Sequence, residues 1–369
     1  MELIDRILEE GNFNAAIKAV EQNKGAAGID KMPVGVLRAY FAEHGTEIAQ
    51  QIREKKYKPQ PVRRVYIPKT NGKMRPLGIP TAVDRVIQQA VAQILSLGYD
   101  RYFSEYSYGF RSNRDCHMAI DRVLTYLNEG YEWVIDLDIE KYFDTVNHDK
   151  LISILRERIN DAPTLHLIRS FLQAGVMENG LVSATEMGVP QGGPLSPVLS
   201  NVYLDKLDKE LENRGLRFAR YADDCNIFVR SEEAANRVMA SITSWLERKL
   251  RLKVSATKTK VVRPTNSTFL GFAFWKSTEG WKPKPAKDRK VRLCEKVKAL
   301  LCRKEAAAKP LGYTFTKLNQ ILRGWINYFY FRPGNMKGWL KNDFGLWMRH
   351  KVRVVILKQW KKPHTIYVN

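Results

Sequence analysis

The chain has 369 residues, long enough for two or three compact units and for a core that hides roughly three quarters of the surface an unfolded chain exposes. With 44% hydrophobic and 27% charged residues it is neither disordered, collagen-like nor of low complexity. Sixty-one Lys+Arg against 39 Asp+Glu give a formal charge of +22, which points to a polyanionic partner, with nucleic acid ahead of an anionic membrane.

Leu3, Ile4, Ile7 and Leu8, continued over 15–20, predict one N-terminal helix, ended by the stretch 24–28 with a glycine as the left-handed stop. A second helix is predicted over 33–52, before Pro59 and Pro61 break the pattern. Residues 62–68 read as a strand that Asn71-Gly72 returns through 74–79, and 84–97 as a helix. Over 133–139 the residues alternate, with Trp133, Ile135, Leu137 and Ile139 on one face and Val134, Asp136 and Asp138 on the other. Helices follow at 148–158 and 164–173, a hairpin turn at Glu178-Asn179-Gly180, and a helix at 197–213 with Gly215 past its end. Residues 216–230 read as two strands meeting at Ala222-Asp223-Asp224. A helix at 234–250 comes next, and 261–262 with 269–274 suggest a further hairpin. Three helices are expected near 288–306, 315–331 and 337–360, giving an α+β body followed by an all-helical module.

That module holds most of the charge. Residues 282–369 carry 22 Lys/Arg and 4 Asp/Glu, whereas the preceding 281 residues sum to only +4. Trp325, Tyr328, Phe329, Tyr330, Trp339, Phe344 and Trp347 distinguish it from a solvated basic tail and predict a folded unit. Cys116, Cys225, Cys294 and Cys302 form no CxxC pair, which argues against a zinc ribbon or disulfide framework and fits a reducing cytosol. No apolar run approaches the ~20 residues that span a bilayer, and the first ten residues do not read as a signal peptide. The expectation is a cytoplasmic protein with no membrane partner.

The carboxylates are the most informative residues. Asp223 and Asp224 lie at the tip of an otherwise apolar hairpin, where their charges repel unless a divalent cation intervenes. Aspartate offers hard oxygen ligands on a short stem, which suits Mg²⁺. An isolated Asp-Asp pair also fits a solvated acidic turn, but the flanking strands are too apolar for that. Asp138 ends a buried-looking strand from which it can face a site shared with Asp223, and Asp136 is its structural neighbour.

Taken in order, the motifs resemble those of group II intron-encoded reverse transcriptases, the maturase-type family. Lys69-Thr-Asn-Gly-Lys-Met-Arg75 followed by Pro-Leu-Gly-Ile-Pro80 resembles the fingers hairpin, and Ser107-Tyr-Gly-Phe-Arg111 the next block. Asp138 followed five residues later by Phe143 is similar to the first catalytic motif, and Pro190-Gln-Gly-Gly-Pro-Leu-Ser-Pro197 to the template-side block. Tyr221-Ala-Asp-Asp224 resembles the catalytic hairpin, while Thr257-Lys-Thr-Lys260 and Phe269-Leu-Gly-Phe272 resemble the last palm motifs. Leu322-Arg-Gly-Trp-Ile-Asn-Tyr328 is similar to the maturase-specific thumb region. Cys225 and Ser255 depart from the usual residues, and the stretch 95–99 is shorter than the family pattern.

The resemblance implies a right-hand polymerase fold: N-terminal extension and fingers over 1–130, palm with antiparallel sheet over 131–281, and basic helical thumb over 282–369. It implies RNA-directed DNA polymerase activity with Asp138, Asp223 and Asp224 as catalytic residues, and two Mg²⁺ ions held by Asp138, Ile139, Asp223 and Asp224. Deoxynucleoside triphosphates would meet Lys69, Arg75, Phe143 and Gln191, with Phe143 under the sugar. Either Lys258 or Lys260 would act near the leaving pyrophosphate. Arg111, Arg114 and His117 would lie along the template or else form a solvated helix start. The implied partners are an RNA template, a DNA or RNA primer and group II intron RNA, as for a mobile element that assists its own splicing; a homodimer is left open. No DNA-cleaving domain is expected after Lys361-Lys362-Pro363. The rival readings are a non-enzymatic RNA-binding splicing cofactor and a free-standing reverse transcriptase of phage defence or a CRISPR array.

Overall fold

The computed structural model describes residues 2–68, 72, 74–331, 336 and 338–360. The first helices are α1 (Leu3–Ile7), α2 (Glu10–Asn23) and α3 (Leu37–Arg53), so the expected single N-terminal helix is interrupted after Ile7. The left-handed stop of α2 is Lys24 at φ 46°, not a glycine. The hairpin β1 (Val62–Pro68) and β2 (Met74–Ile79) pairs Arg63 with Ile79 through Pro68 with Met74. Helix α4 (Ala82–Asp100) starts earlier than expected because Thr81 caps it. The Thr81 hydroxyl accepts from the Asp84 N–H at 3.1 Å and donates to the Asp84 carboxylate at 2.7 Å.

After α5 (Cys116–Asn128) come β3 (Trp133–Asp138), α6 (Tyr142–Thr145), α7 (His148–Arg156) and α8 (Ala162–Gln173). The short hairpin β4 (Val176–Glu178) and β5 (Leu181–Ser183) turns at Asn179 and Gly180, both at positive φ (52° and 84°), the turn that Asn-Gly favours. Helix α9 (Ser196–Asn213) leads into β6 (Arg217–Tyr221) and β7 (Asp224–Val229), then α10 (Glu232–Trp245). Three sheets result. One has the order β2-β1-β4-β5, with the two antiparallel hairpins joined by a parallel β1/β4 pair. The second is β6-β7-β3-β8, with β8 at Lys260–Val262. The third is antiparallel, with β9 (Thr268–Phe269), β10 (Phe272–Ser277) and β11 (Gly280–Pro285) in the order β11-β10-β9.

The expected hairpin of 261–262 with 269–274 does not form. Three-residue β8 instead lies beside β3, while β10 takes β11 as a six-residue partner and offers far more ladder bonds. The C-terminal helices are α11 (Lys287–Leu300), α12 (Arg303–Ala307), α13 (Leu311–Phe329) and α14 (Phe344–Trp360). The first expected helix thus breaks at Leu301-Cys302, which lets both Leu301 and Ala306 enter the helical core.

The chain divides into two compact units, Met1–Ala119 with Ile135–Val261, and Ile120–Val134 with Val262–Asn369. In the second unit Leu293, Val297, Leu318, Phe344 and Val355 are buried together, with Trp325, Trp339 and Trp347 packed against them. The basic C-terminal segment is therefore a folded module. The fold is α+β with antiparallel pairing and a helical C-terminal region, as expected. Among the described residues no helix is long and apolar enough to cross a membrane.

Candidate active site

Asp138 closes β3, and the segment 255–259 clamps its backbone. Its N–H donates to the Thr259 hydroxyl oxygen (3.1 Å), and its carbonyl accepts from the Ser255 N–H (2.8 Å) and the Thr259 hydroxyl (3.3 Å). The Lys258 ammonium sits 3.0 Å from both oxygens of its carboxylate. Two residues back, Asp136 accepts from the Asn226 amide at 3.1 Å and pairs with Lys260 at 3.4 Å, the part of a structural neighbour. The Ile139 side chain is buried, and its backbone is bridged to Val254, so only its carbonyl oxygen offers a ligand atom.

The second arm of the site is the turn between β6 and β7. Tyr221 pairs with Asp224, leaving Ala222 and Asp223 as the two corner residues. Ala222 is left-handed at φ 58°, a conformation that costs a non-glycine residue about 1–2 kcal/mol. Asp223 and Asp224 remain accessible to solvent. Crowding by surrounding protein, and then the charges of Asp223, Asp136 and Asp138, push the Asp224 carboxyl up to about 7. The carboxylates of β3 and of the turn therefore feel one another's charge.

Among the described residues no three His, Cys, Asp or Glu side chains are drawn tightly enough together to hold a metal ion. The donor set nevertheless suits a hard divalent cation. It consists of carboxylate oxygens with excess negative charge, and the Lys258 ammonium already stands between the oxygens of Asp138 as a substitute cation.

A cavity of about 650 Å³ is lined by Phe143, Gln191, Arg64, Tyr66, Pro76 and Gly78, among others. None of the three aspartates is among its described lining residues. Phe143 is half-buried and set edge-on to Tyr142, with ring centroids 5.2 Å apart. Its carbonyl accepts from the Val189 N–H at 2.6 Å, which ties it to the segment leading to Gln191. The Gln191 side-chain oxygen accepts from Arg75 Nε at 2.9 Å, and its carbonyl accepts from the Gly78 N–H at 2.7 Å. Gly192, at φ 121°, passes so close that a Cβ there would lie 2.5 Å from the Gly78 carbonyl, so no other residue fits. Arg75 thus meets Gln191, which shares the cavity with Phe143; Lys69 lies outside the described residues.

The family model described as "Reverse transcriptase (RNA-dependent DNA polymerase)" matches residues 67–274, more than half of the chain. The chain belongs to the reverse transcriptase family. The activity of that family is RNA-directed DNA synthesis, a nucleotidyl transfer that depends on divalent metal. A second match, "Group II intron, maturase-specific domain", covers residues 291–367. Protein YkfC of Escherichia coli (strain K12) is 34% identical over 286 residues, 67% of this chain and 75% of that protein. Group II intron-encoded protein LtrA of Lactococcus lactis subsp. cremoris is 39% identical over 218 residues, 58% of this chain but only 36% of LtrA. A chain of the solved "Partial Cas6-RT-Cas1--Cas2 complex" aligns with a TM-score of 0.43 at 24% identity, covering 67% of this chain and 43% of that one.

Within this reverse transcriptase Arg111 is not a template-facing side chain. Its guanidinium is almost wholly buried and is committed to the Asp100 carboxylate (2.7 Å) and to the carbonyls of Asp100, Ser104 and Ser107. Arg220 was missed by sequence reasoning. It is fully buried and paired with fully buried Asp208 behind the Tyr221–Asp224 turn. The available signal was a second charged residue inside strand β6, three residues before Asp223.

Proposed function

We propose that the chain is an RNA-directed DNA polymerase that extends a DNA or RNA primer on an RNA template. The observation that carries this reading is the adjacency of strand β3, which ends at Asp138, and strand β7, which starts at Asp224 directly after Asp223 of the β6/β7 turn, in a chain matched by the reverse transcriptase family. Asp138, Asp223 and Asp224, with the Ile139 carbonyl, would hold Mg²⁺. Two such ions would activate the primer hydroxyl and offset the charge of the leaving phosphate. Arg75, steadied by Gln191, grips the incoming triphosphate together with Lys69, and its fork suits phosphate oxygens. Phe143 lies against the sugar. Lys258, which contacts the catalytic Asp138, serves the leaving pyrophosphate, and Lys260 pairs with the neighbouring Asp136.

In this reading residues 1–130 form the N-terminal extension and fingers, 131–281 the palm and 282–369 the thumb. The maturase-specific match and the concentration of positive charge in the C-terminal module support binding of group II intron RNA and assistance to splicing, in the cytoplasm. The test is extension of a primer annealed to RNA, with deoxynucleotides and Mg²⁺. Complementary DNA that disappears on chelation is expected. Tight RNA binding with no extension would instead favour a splicing cofactor without polymerase activity. Sizing the same preparation with and without RNA reads whether the enzyme works as a homodimer.

A further inference from the structure

Arg220 presents five N–H groups to five acceptors, all inside the protein. Nε donates to Asp208 Oδ1 (2.6 Å), and Nη2 to Asp208 Oδ2 (2.5 Å) and the Ser107 hydroxyl (2.8 Å). Nη1 donates to the Asn201 side-chain oxygen (3.0 Å) and to the Ala222 carbonyl (2.8 Å). Its backbone is held as firmly, because its N–H donates to the Tyr106 carbonyl and its carbonyl accepts from the Tyr108 N–H, each at 2.9 Å. The Asn201 amide donates in turn to the Gly109 carbonyl at 2.8 Å. Gly109 passes directly behind the turn, where an added Cβ would lie 2.5 Å from the Ala222 nitrogen and 3.0 Å from the Tyr221 carbonyl carbon.

One end of this network grips the left-handed Ala222, the residue immediately before Asp223. The other end is anchored on α9 through Asn201 and Asp208. A buried guanidinium needs a carboxylate partner, which Asp208 supplies, but that pairing does not require the bond to Ala222 or the close approach of Gly109. Both features converge on the two-residue turn.

We propose that Arg220 is a positioning residue of the polymerase, fixing the Ala222 turn so that Asp223 and Asp224 reach a divalent cation shared with Asp138; this rests on the metal-site reading above. Neither Arg220 nor Gly109 touches substrate. Lysine at 220 can keep the charge but cannot serve Asp208, Ser107, Asn201 and Ala222 together. Alanine at 109 changes no charge and pushes on the turn directly. The two changes disturb one geometry by independent routes.

The experiment compares wild type, Arg220→Lys, Gly109→Ala and Asp223→Asn in the full-length chain. Mn²⁺ binding is followed by electron paramagnetic resonance of the free ion, alongside thermal unfolding, RNA binding and single-nucleotide extension. Gly109→Ala, which removes no buried charge partner, keeps the comparison open should Arg220→Lys fold poorly. The expected result for folded Arg220→Lys or Gly109→Ala is Mn²⁺ affinity lower by about threefold to tenfold. kcat should fall at least tenfold, with KM for the nucleotide within twofold and RNA binding unchanged. If Asp223→Asn loses Mn²⁺ affinity while folded Gly109→Ala and Arg220→Lys keep wild-type affinity and kcat, the network is only structural and the proposal is overturned. If Asp223→Asn itself keeps wild-type affinity, the metal-site reading fails first and the proposal falls with it.

Discussion

Replacing Phe143 with Ala should relax the choice of sugar. The ring lines the 650 Å³ cavity with Gln191, is braced edge-on by Tyr142, and has its carbonyl fixed by Val189, so it forms a wall that does not readily swing aside. An apolar wall that must reject one extra hydroxyl discriminates by about 10²-fold, or about 2.7 kcal/mol at 1.36 kcal/mol per tenfold. Removing the ring should therefore raise the ribonucleotide-to-deoxyribonucleotide ratio of kcat/KM by up to about 10²-fold, with Phe143→Val intermediate. Because the ring is only half-buried, the stability loss should fall below the ~3–5 kcal/mol typical of a fully buried Phe→Ala change, and the variant should fold. Single-nucleotide extension with each nucleotide type on one RNA template reads the ratio. An unchanged ratio in a folded variant would mean that the ring is merely part of the core and that the cavity does not receive the sugar.

Neutralising Lys351, Arg353 and Lys358 on α14, together with Lys361 and Lys362 outside the described residues, should weaken RNA binding and flatten its dependence on log salt by about 0.7–0.9 for each RNA phosphate that is no longer neutralised; an unchanged slope would make these charges a solubility device. Leu293→Ala in the core of the helical module should cost about 2–5 kcal/mol in urea unfolding, since that side chain is 1% exposed; a loss under about 1 kcal/mol would deny that this cluster holds the module. The Asp224 carboxyl, raised from its ordinary 3.8 to about 7, is protonated below that pH, so a cation must displace the proton to bind there. Mg²⁺ affinity should therefore fall as pH drops through about 7, by at most about tenfold per unit, and flat affinity between pH 5.5 and 8 would contradict it.

Local chemistry was legible in the sequence and distant pairing was not. Asn179-Gly180 carries its turn in two residues, and the alternation over 133–139 pointed directly to β3 and its carboxylates. The place of β8 depended on an open position beside β3, more than a hundred residues away, while the local alternative with 269–274 lost to the longer β10/β11 ladder. Lys24 took the left-handed position although two glycines stood nearby, because a helix stops where its packing ends and not at the residue best suited to the stop. Among the site residues, Asp138, Asp223 and Asp224 stood out because charge in apolar strands demands a reason. Arg220 demanded one equally, but its partner Asp208 lies 12 residues away, and nothing local announces that two such side chains meet in the interior.

The most direct test is RNA-templated primer extension by Asp138→Asn and Asp223→Asn, measured beside RNA binding by the same preparations. Each substitution keeps the side chain's shape and removes one negative charge from the ends of β3 and the β6/β7 turn. Loss of comparable electrostatic groups lowers rates by about 10²–10³-fold. Extension should fall at least that far in both variants while RNA affinity stays at the wild-type level, whereas robust extension by either one would contradict the assignment of these carboxylates as the catalytic centre.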